Sequence, residues 1–312
     1  MSSRKERSAA KTAGAINAMK IRLDRSVPNP LAKAVPDHLF MLPGVFAAVA
    51  KRNSGKTTVC ASLLRDYQDA GVMQRVFLIS PNAHSVVNTT LFEGLVEPDD
   101  CYTDPSWASF NAVLKKIEQE GAEWAAYQKA KEDWEKLQKY DDPHGIPEEL
   151  LELAVLHNWF EGPPVYKYGD IVHPSLAIVV DDCMNSALFA PSYHNPVANA
   201  AIRNRHIGNI GASLFFMVQS YSSQNGLPRS LRENITCYML WRMASEERRV
   251  QIAKELSSDV DSKLFLKMYD QATPPDDDHA FMTLDFQGPK HRRFRANFDR
   301  VLATPPAAEL AQ

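Results

Sequence analysis

Cysteine is scarce in this sequence and never closely spaced. Cys60, Cys101, Cys183 and Cys237 are its only four, with no C-x-x-C pair among them. They read as reduced, mostly buried thiols of an intracellular compartment. No histidine spacing suits zinc, and no G-x-S-x-G elbow is present. No apolar run approaches the ~18 residues of a membrane helix, so no stable membrane insertion is expected. The N-terminus is basic but lacks an apolar h-region, which excludes a signal peptide, and the chain is expected to be intracellular rather than secreted. Internal repeats are absent too.

What remains is ordinary in bulk and uneven in charge. Apolar residues make up 45% and charged residues 23% of the 312, as in soluble globular proteins. That length suits one large domain or two modest ones. Residues 1–25 carry Arg4, Lys5, Arg7, Lys11, Lys20, Arg22 and Arg25 against Glu6 and Asp24, a net of +5. The total is −3, so the remainder carries −8. A basic arm of this kind either touches phosphate backbones or an acidic partner, or simply solubilises the chain as a disordered tail.

The most informative stretch is VFAAVAKRNSGKTT (45–58). Small and β-branched residues predict a buried strand, and a helix-forming run closed by Gly71 follows the GKT. This is the strand–loop–helix context of a phosphate-binding loop, matching [A/G]-x4-G-K-[S/T] with Ala50 at the first glycine position. Asn53, Ser54, Gly55, Lys56, Thr57 and Thr58 are the candidates for holding ATP phosphates. Backbone N–H groups and the helix dipole converge there, Lys56 adds a point charge, and the Thr57 hydroxyl is free for Mg²⁺.

Along the chain, the Pro-punctuated 26–39 predicts an extended lead-in. A second strand at 75–80 completes a βαβ unit, which predicts an α/β fold with a parallel sheet. Residues 105–175 predict an α-helical insertion. In it Trp124, Tyr127, Ala130, Trp134 and Leu137 share a packing face, Glu132→Lys136 and Glu135→Lys139 are spaced as ion pairs, and Pro147 opens a second helix over 148–160. Strands are expected at 176–180, 213–219 and 235–243, then a helix capped by Ser245 with Glu246 and Glu247 in its first turn. Segments 280–286 and 291–298 predict a closing hairpin, and the end of the chain a frayed tail.

Three further features choose what is done with a bound nucleotide. The apolar strand LAIVV delivers Asp181 and Asp182 to its carboxyl end, the edge where ligands sit in open α/β sheets. Asp181 is expected to hold Mg²⁺, and Asp182 to polarise an attacking water, which favours hydrolysis over transfer to an alcohol. Gln219 tips another apolar strand, placed to contact the γ-phosphate or the lytic water. Arginines cluster beyond these strands, and Arg205, Arg232 and Arg249 are candidates for reaching a neighbouring subunit's γ-phosphate.

In this order the motifs resemble the genome-packaging ATPases of nucleocytoplasmic large DNA viruses (the poxvirus type) and related double-stranded DNA viruses, within the FtsK–HerA superfamily. The residues that carry the resemblance are AVAKRNSGKTT, FLISPN, LAIVVDDC, RNRHIGNIGASLFFMVQSYS and LPRSLRENITCYMLWR. The likeness covers about residues 40–300, loosely in the insertion. Two departures are Ala50 for the first glycine and Asp182 where cellular relatives more often have Glu. The resemblance implies a RecA-like P-loop NTPase domain (ASCE type) over 40–300, between a lead-in at 1–39 and a tail at 301–312. It implies a pentameric or hexameric ring, with an arginine completing its neighbour's site. Its cofactors are ATP and Mg²⁺, and its partners double-stranded DNA and a capsid or vertex protein, in the host-cell cytoplasm (viral factory) or the virion. Rival readings are a conjugation or mobilisation translocase, a P-loop kinase and a nucleotide-gated scaffold.

Overall fold

Short apolar runs buried along their whole length set the architecture of residues 35–222, 226–257 and 260–302, which the computed structural model describes. All of them fall within the unit Leu31–Gln312. The basic arm at 1–25, most of the lead-in and residues 303–312 lie outside the described residues.

Strand β1 (Val45–Val49) is buried throughout and leads through a loop into α1 (Lys56–Asp69). Gly71 follows that helix at φ +69°, a left-handed position that suits glycine. β2 (Arg75–Ile79) falls where expected. Two elements then appear that the sequence reading did not anticipate. One is α2 (Val86–Leu91), capped by Ser85 Oγ, which accepts the Asn88 N–H. The other is a two-residue edge strand, β3 (Cys101–Tyr102).

The insertion consists of α3 (Trp107–Leu137) and α4 (Glu148–Leu156). At ~1.5 Å rise per residue, the 31 residues of α3 span about 46 Å. α4 ends four residues short of the expected 160, because Asn158 turns left-handed at φ +55°. The aromatic stripe is a packing face, divided between two cores. Trp124 and Tyr127 pack with Tyr166 against the main body, while Trp134 and Leu137 meet Ala154 and Trp159 in a small separate cluster. Lys136 pairs with Asp133 at 2.7 Å, one position from the expected Glu132.

The chain continues with β4 (Leu176–Asp181), α5 (Pro196–Ile202), β5 (Ser213–Val218), the short α6 (Arg229–Arg232) and β6 (Cys237–Trp241). α7 (Glu246–Leu256) starts at its Ser245 cap, and α8 (Ser262–Ala272) at an Asp261 cap that accepts the N–H groups of Lys263 and Leu264. The hairpin strands are β7 (Phe281–Asp285) and β8 (Phe294–Ala296). Two segments given to the lead-in and tail belong to the body. Leu39 is buried, and β9 (Arg300–Val301) pairs with β8 ahead of a buried Leu302.

The nine strands form one sheet in the order β3-β2-β4-β5-β1-β6-β7-β8-β9. Pairings from β3 to β6 are parallel, and those from β6 to β9 antiparallel. With the loop-bearing β1 separated from the aspartate-bearing β4 by β5, this is a RecA-like P-loop fold of the ASCE type. It carries a helical insertion and a C-terminal hairpin. Each central strand feeds two cores. Val45, Ala47 and Val49 face the side of α3, α5, α7 and α8, while Phe46 and Ala48 face that of α1. Burial on both faces explains why these strands read as unbroken apolar runs.

α3 is fastened to the sheet in two ways. Arg75 at the start of β2 pairs with Asp100 at 2.6 Å and Glu120 at 2.5 Å, while Lys116 reaches Asp100 and Lys167 reaches Glu120. Burial pushes the Asp100 carboxyl up, but hydrogen bonds from Arg75 and Lys116 outweigh it and hold the group below its usual range. In addition, Gly121 of α3 lies against Gly208, backbone to backbone. The cysteines bear out their reading as mostly buried thiols. Cys60, Cys183 and Cys237 are buried, which pushes their thiols well up, and Cys101 is half-buried.

Candidate functional site: a phosphate loop beside two aspartates

The loop after β1 is shaped by residues that tolerate left-handed backbone. Asn53 sits at φ +64° and Gly55 at φ +87°, and Ser54 Oγ closes the turn on the Lys51 carbonyl at 2.9 Å. Neither left-handed position falls on Ala50, whose N–H continues the β5 ladder to Val218 O at 3.1 Å. The absent first glycine therefore costs the loop nothing in backbone conformation.

α1 starts at Lys56, so the free N–H groups of its first turn face the loop. Lys56 is buried. Thr57 donates its hydroxyl to Asp181 Oδ2 at 3.3 Å, joining α1 to the end of β4. Residues 52–58, Asp181 and Asp182 line one cleft of about 400 Å³, so Asn53, Ser54, Gly55, Lys56, Thr57 and Thr58 are brought together with both carboxylates. The cleft's far side is built by Asn82, Ser85 and Asn88, from the segment after β2.

Asp181 and Asp182 are adjacent but differently housed. Burial pushes the Asp181 carboxyl up to about 6; Lys56 opposes the rise and Asp182 adds to it. Asp182 adopts φ +55°, a left-handed conformation that Asp accepts more readily than most residues. Its Oδ1 accepts from Gln219 Nε2 at 2.8 Å and its Oδ2 from Asn82 Nδ2 at 3.3 Å. Gln219 is thus brought to the second aspartate, while its backbone N–H rests on Met184 Sδ at 3.0 Å.

No family model matches the chain, and no curated protein matches it. Solved structures do. The genome packaging NTPase of Sulfolobus turreted icosahedral virus 2, in complex with ATP-gammaS, is 11% identical with a TM-score of 0.43, covering 83% of this chain and 98% of that one. VirB4 of Thermoanaerobacter pseudethanolicus is 14% identical with a TM-score of 0.39, covering 83% and 89%. TcpA, the conjugation coupling protein of pCW3, is 12% identical with a TM-score of 0.40, covering 77% and 56%.

The three candidate arginines do not join the cleft. Arg232 pairs with Glu255 at 3.1 Å, donates to the Leu227 carbonyl and lies over the Tyr221 ring. Arg249 pairs with Asp270 at 2.8 Å. Of the three, only Arg205 is exposed, on the 3-10 segment Asn204–Asn209.

Sequence reasoning gave no role to three contacts around the cleft. Asn82 stands inside the FLISPN stretch, but its place beside Asp182 depends on β2 neighbouring β4. On the other side, Lys51 pairs with Asp278 at 2.7 Å, and His279 Nδ1 lies 3.2 Å from the Ser54 carbonyl. The acidic stretch before β7 carried no signal for this beyond its charge.

The Thr57 hydroxyl and the Asp181 carboxylate are hard oxygen donors set side by side, and that donor set fits Mg²⁺. The raised Asp181 carboxyl also predicts a pH effect on stability in metal- and nucleotide-free protein. Its folded value of about 6 exceeds the usual 3.8, so the fold favours the protonated form. That contribution is complete below the unfolded value and is lost as pH rises through about 6. Asp181→Asn is therefore expected to match the wild type at pH 4 and to exceed it at pH 8 by on the order of 2–3 kcal/mol. Urea unfolding in a chelator measures this, and equal stability at pH 8 would contradict it.

Proposed function

We propose that this chain is a Mg²⁺-dependent ATPase that drives double-stranded DNA and packages a viral genome into a preformed capsid. The observation that carries the hydrolytic half is the juxtaposition along one sheet edge. Thr57 is bonded to Asp181 inside the loop's cleft, and Asp182 stands next to it with Gln219 on its carboxylate. The packaging half rests on the order of sequence motifs, from the P-loop through Asp181-Asp182 to the Arg205-His206 and Gln219 stretch.

In this reading Asn53, Ser54, Gly55 and Thr58 offer backbone N–H groups to the phosphates, and Lys56 neutralises charge on the β- and γ-phosphates. Thr57 and Asp181 would hold Mg²⁺, which supplies charge neutralisation to the phosphates when bound. Asp182 accepts a proton from water as the water oxygen bonds to the γ-phosphorus. The bond from phosphorus to the bridging oxygen breaks, and its electron pair leaves with ADP. Gln219 senses the γ-phosphate through the carboxylate it shares. Arg205, the exposed one of the three candidates, acts on a neighbouring subunit's site in a pentameric or hexameric ring. A capsid or vertex protein is its partner, at the viral factory in the host cytoplasm or in the virion. Among the described residues no helix is long and apolar enough to cross a membrane.

The test is steady-state ATP hydrolysis with and without double-stranded DNA. Stimulation of about threefold or more is expected, roughly 0.7 kcal/mol off the barrier. Hydrolysis indifferent to any nucleic acid would contradict the translocase reading. Phosphate appearing on a small acceptor instead of in solution would favour a kinase.

A further inference from the structure

A second cleft, also of about 400 Å³, opens where β1, β5 and β6 end. Val49, Ala50, Tyr221 and Met243 give it an apolar lining. Val49, Tyr221 and Met243 belong to the core shared with α7 and α8, whereas α1 packs on the other face of the sheet. None of the residues that hold the phosphate-binding positions 52–58 lines it. Its charged lining residues are Lys51, Arg242 and Arg248, all of them basic.

The three cations are not equally engaged. Lys51 pairs with Asp278 at 2.7 Å, and Arg242 donates to the Thr273 carbonyl and faces Asp270 at 3.7 Å. Arg248 is exposed, and its guanidinium makes no hydrogen bond or ion pair among the described residues. Ser220, just past β5, also lines the cleft; it is only 8% exposed, and its hydroxyl is buried without a hydrogen-bond partner. A hydroxyl left in that state is costly, and an acceptor entering the cleft removes the cost. The N-terminus of α7 adds little, because Glu246 and Glu247 already stand in its first turn.

We propose that this cleft binds a small organic phosphate, an apolar body ending in a phosphate group. Its volume lies in the range of small-molecule sites, and such sites pair an apolar lining with a few polar groups that fix orientation. The cations select against a neutral ligand, and the apolar lining favours an organic phosphate over the bare ion. The unengaged Arg248 and the orphaned Ser220 hydroxyl are the donors that wait for the phosphate oxygens. Gln219 lines this cleft as well and donates to Asp182, so an occupant stands one side chain from the nucleotide cleft.

The experiment is calorimetric titration of the full chain with phenyl phosphate, inorganic phosphate and benzyl alcohol, with saturating ADP and Mg²⁺ filling the phosphate loop. Phenyl phosphate is expected to bind with Kd of about 1 mM or below, and each of the other two at least about tenfold more weakly. Arg248→Glu should weaken phenyl phosphate by at least about tenfold, the scale of a charge-assisted hydrogen bond. Ser220→Ala should weaken it about three- to tenfold while the melting temperature of the free protein holds or rises, because the lost hydroxyl had no partner. Failure of the wild type to bind phenyl phosphate at millimolar concentration overturns the proposal. So does equal binding of phenyl phosphate and inorganic phosphate, or binding that both variants leave unchanged. A melting temperature lowered by Ser220→Ala overturns the role given to that hydroxyl, since it would then serve the fold. None of these failures touches the hydrolytic reading, which rests on the other cleft.

Discussion

Lys56→Ala is expected to lower kcat for ATP hydrolysis by at least about a thousandfold, the scale seen when a preorganised charge is removed from a phosphoryl-transfer site. Lys56 is buried at the first helical position of α1, and its charge is felt by the Asp181 carboxyl next to it. A cation shielded from water in this way acts on nearby phosphates with little dielectric screening, and no other residue of the loop's 53–58 run carries a charge. Alanine is a good helix former, so α1 survives and the loss falls on turnover rather than on folding. Circular dichroism and a melting curve beside the kinetic assay separate the two. A variant that retained a tenth of the wild-type kcat would show that another group neutralises the phosphates.

Gly121→Ala is expected to destabilise the fold, because it sets a methyl group where backbone already stands. A Cβ at Gly121 would lie 1.8 Å from the Gly208 carbonyl oxygen and 2.8 Å from its carbon, both backbone atoms that cannot swing aside. Gly208 is constrained in turn, at φ +58° with Ile117 O 2.5 Å from where its own Cβ would stand. α3 and the loop carrying Arg205 therefore touch backbone to backbone, and either the helix or the loop must move to admit a methyl. Overpacking of this kind costs about 3 kcal/mol or more, against at most about 1 kcal/mol gained from alanine's helix propensity. The net change, about 2 kcal/mol or more, should lower the melting temperature of a chain this long by roughly 3 °C or more. An unchanged melting temperature would mean that α3 does not press on this loop.

How far the chain could be read in advance depended on whether a feature was local. β1, β4 and β5 were legible because strands buried on both faces become unbroken apolar runs, and the Ser245 cap because capping is decided within four residues. α2, by contrast, is VVNTTL, whose β-branched residues favour a strand; only the Ser85 cap and its position after β2 make it helical. The α3 fastening joins Arg75, Asp100 and Glu120, which are 25 and 45 positions apart, and no periodicity reports such a pairing. The same holds at the site. The loop and the two aspartates follow from strand-end patterns, whereas Asn82 enters only through the neighbouring of β2 and β4. Arginines can be counted in sequence, but only the fold shows that Arg232 and Arg249 are tied to Glu255 and Asp270 while Arg205 stands exposed.

The central claim is that Asp182, set between Asn82 and Gln219 beside the Thr57–Asp181 pair, activates the water that attacks ATP. Asp182→Asn tests it most directly, because the substitution keeps the shape of the side chain and removes its capacity to accept a proton. Quantifying bound nucleotide and released phosphate on the same sample gives the answer. The account predicts ATP held at wild-type affinity and recovered uncleaved, with phosphate release down by at least about a hundredfold, the contribution of general-base catalysis. Phosphate release at the wild-type rate would contradict it and assign the water to another residue.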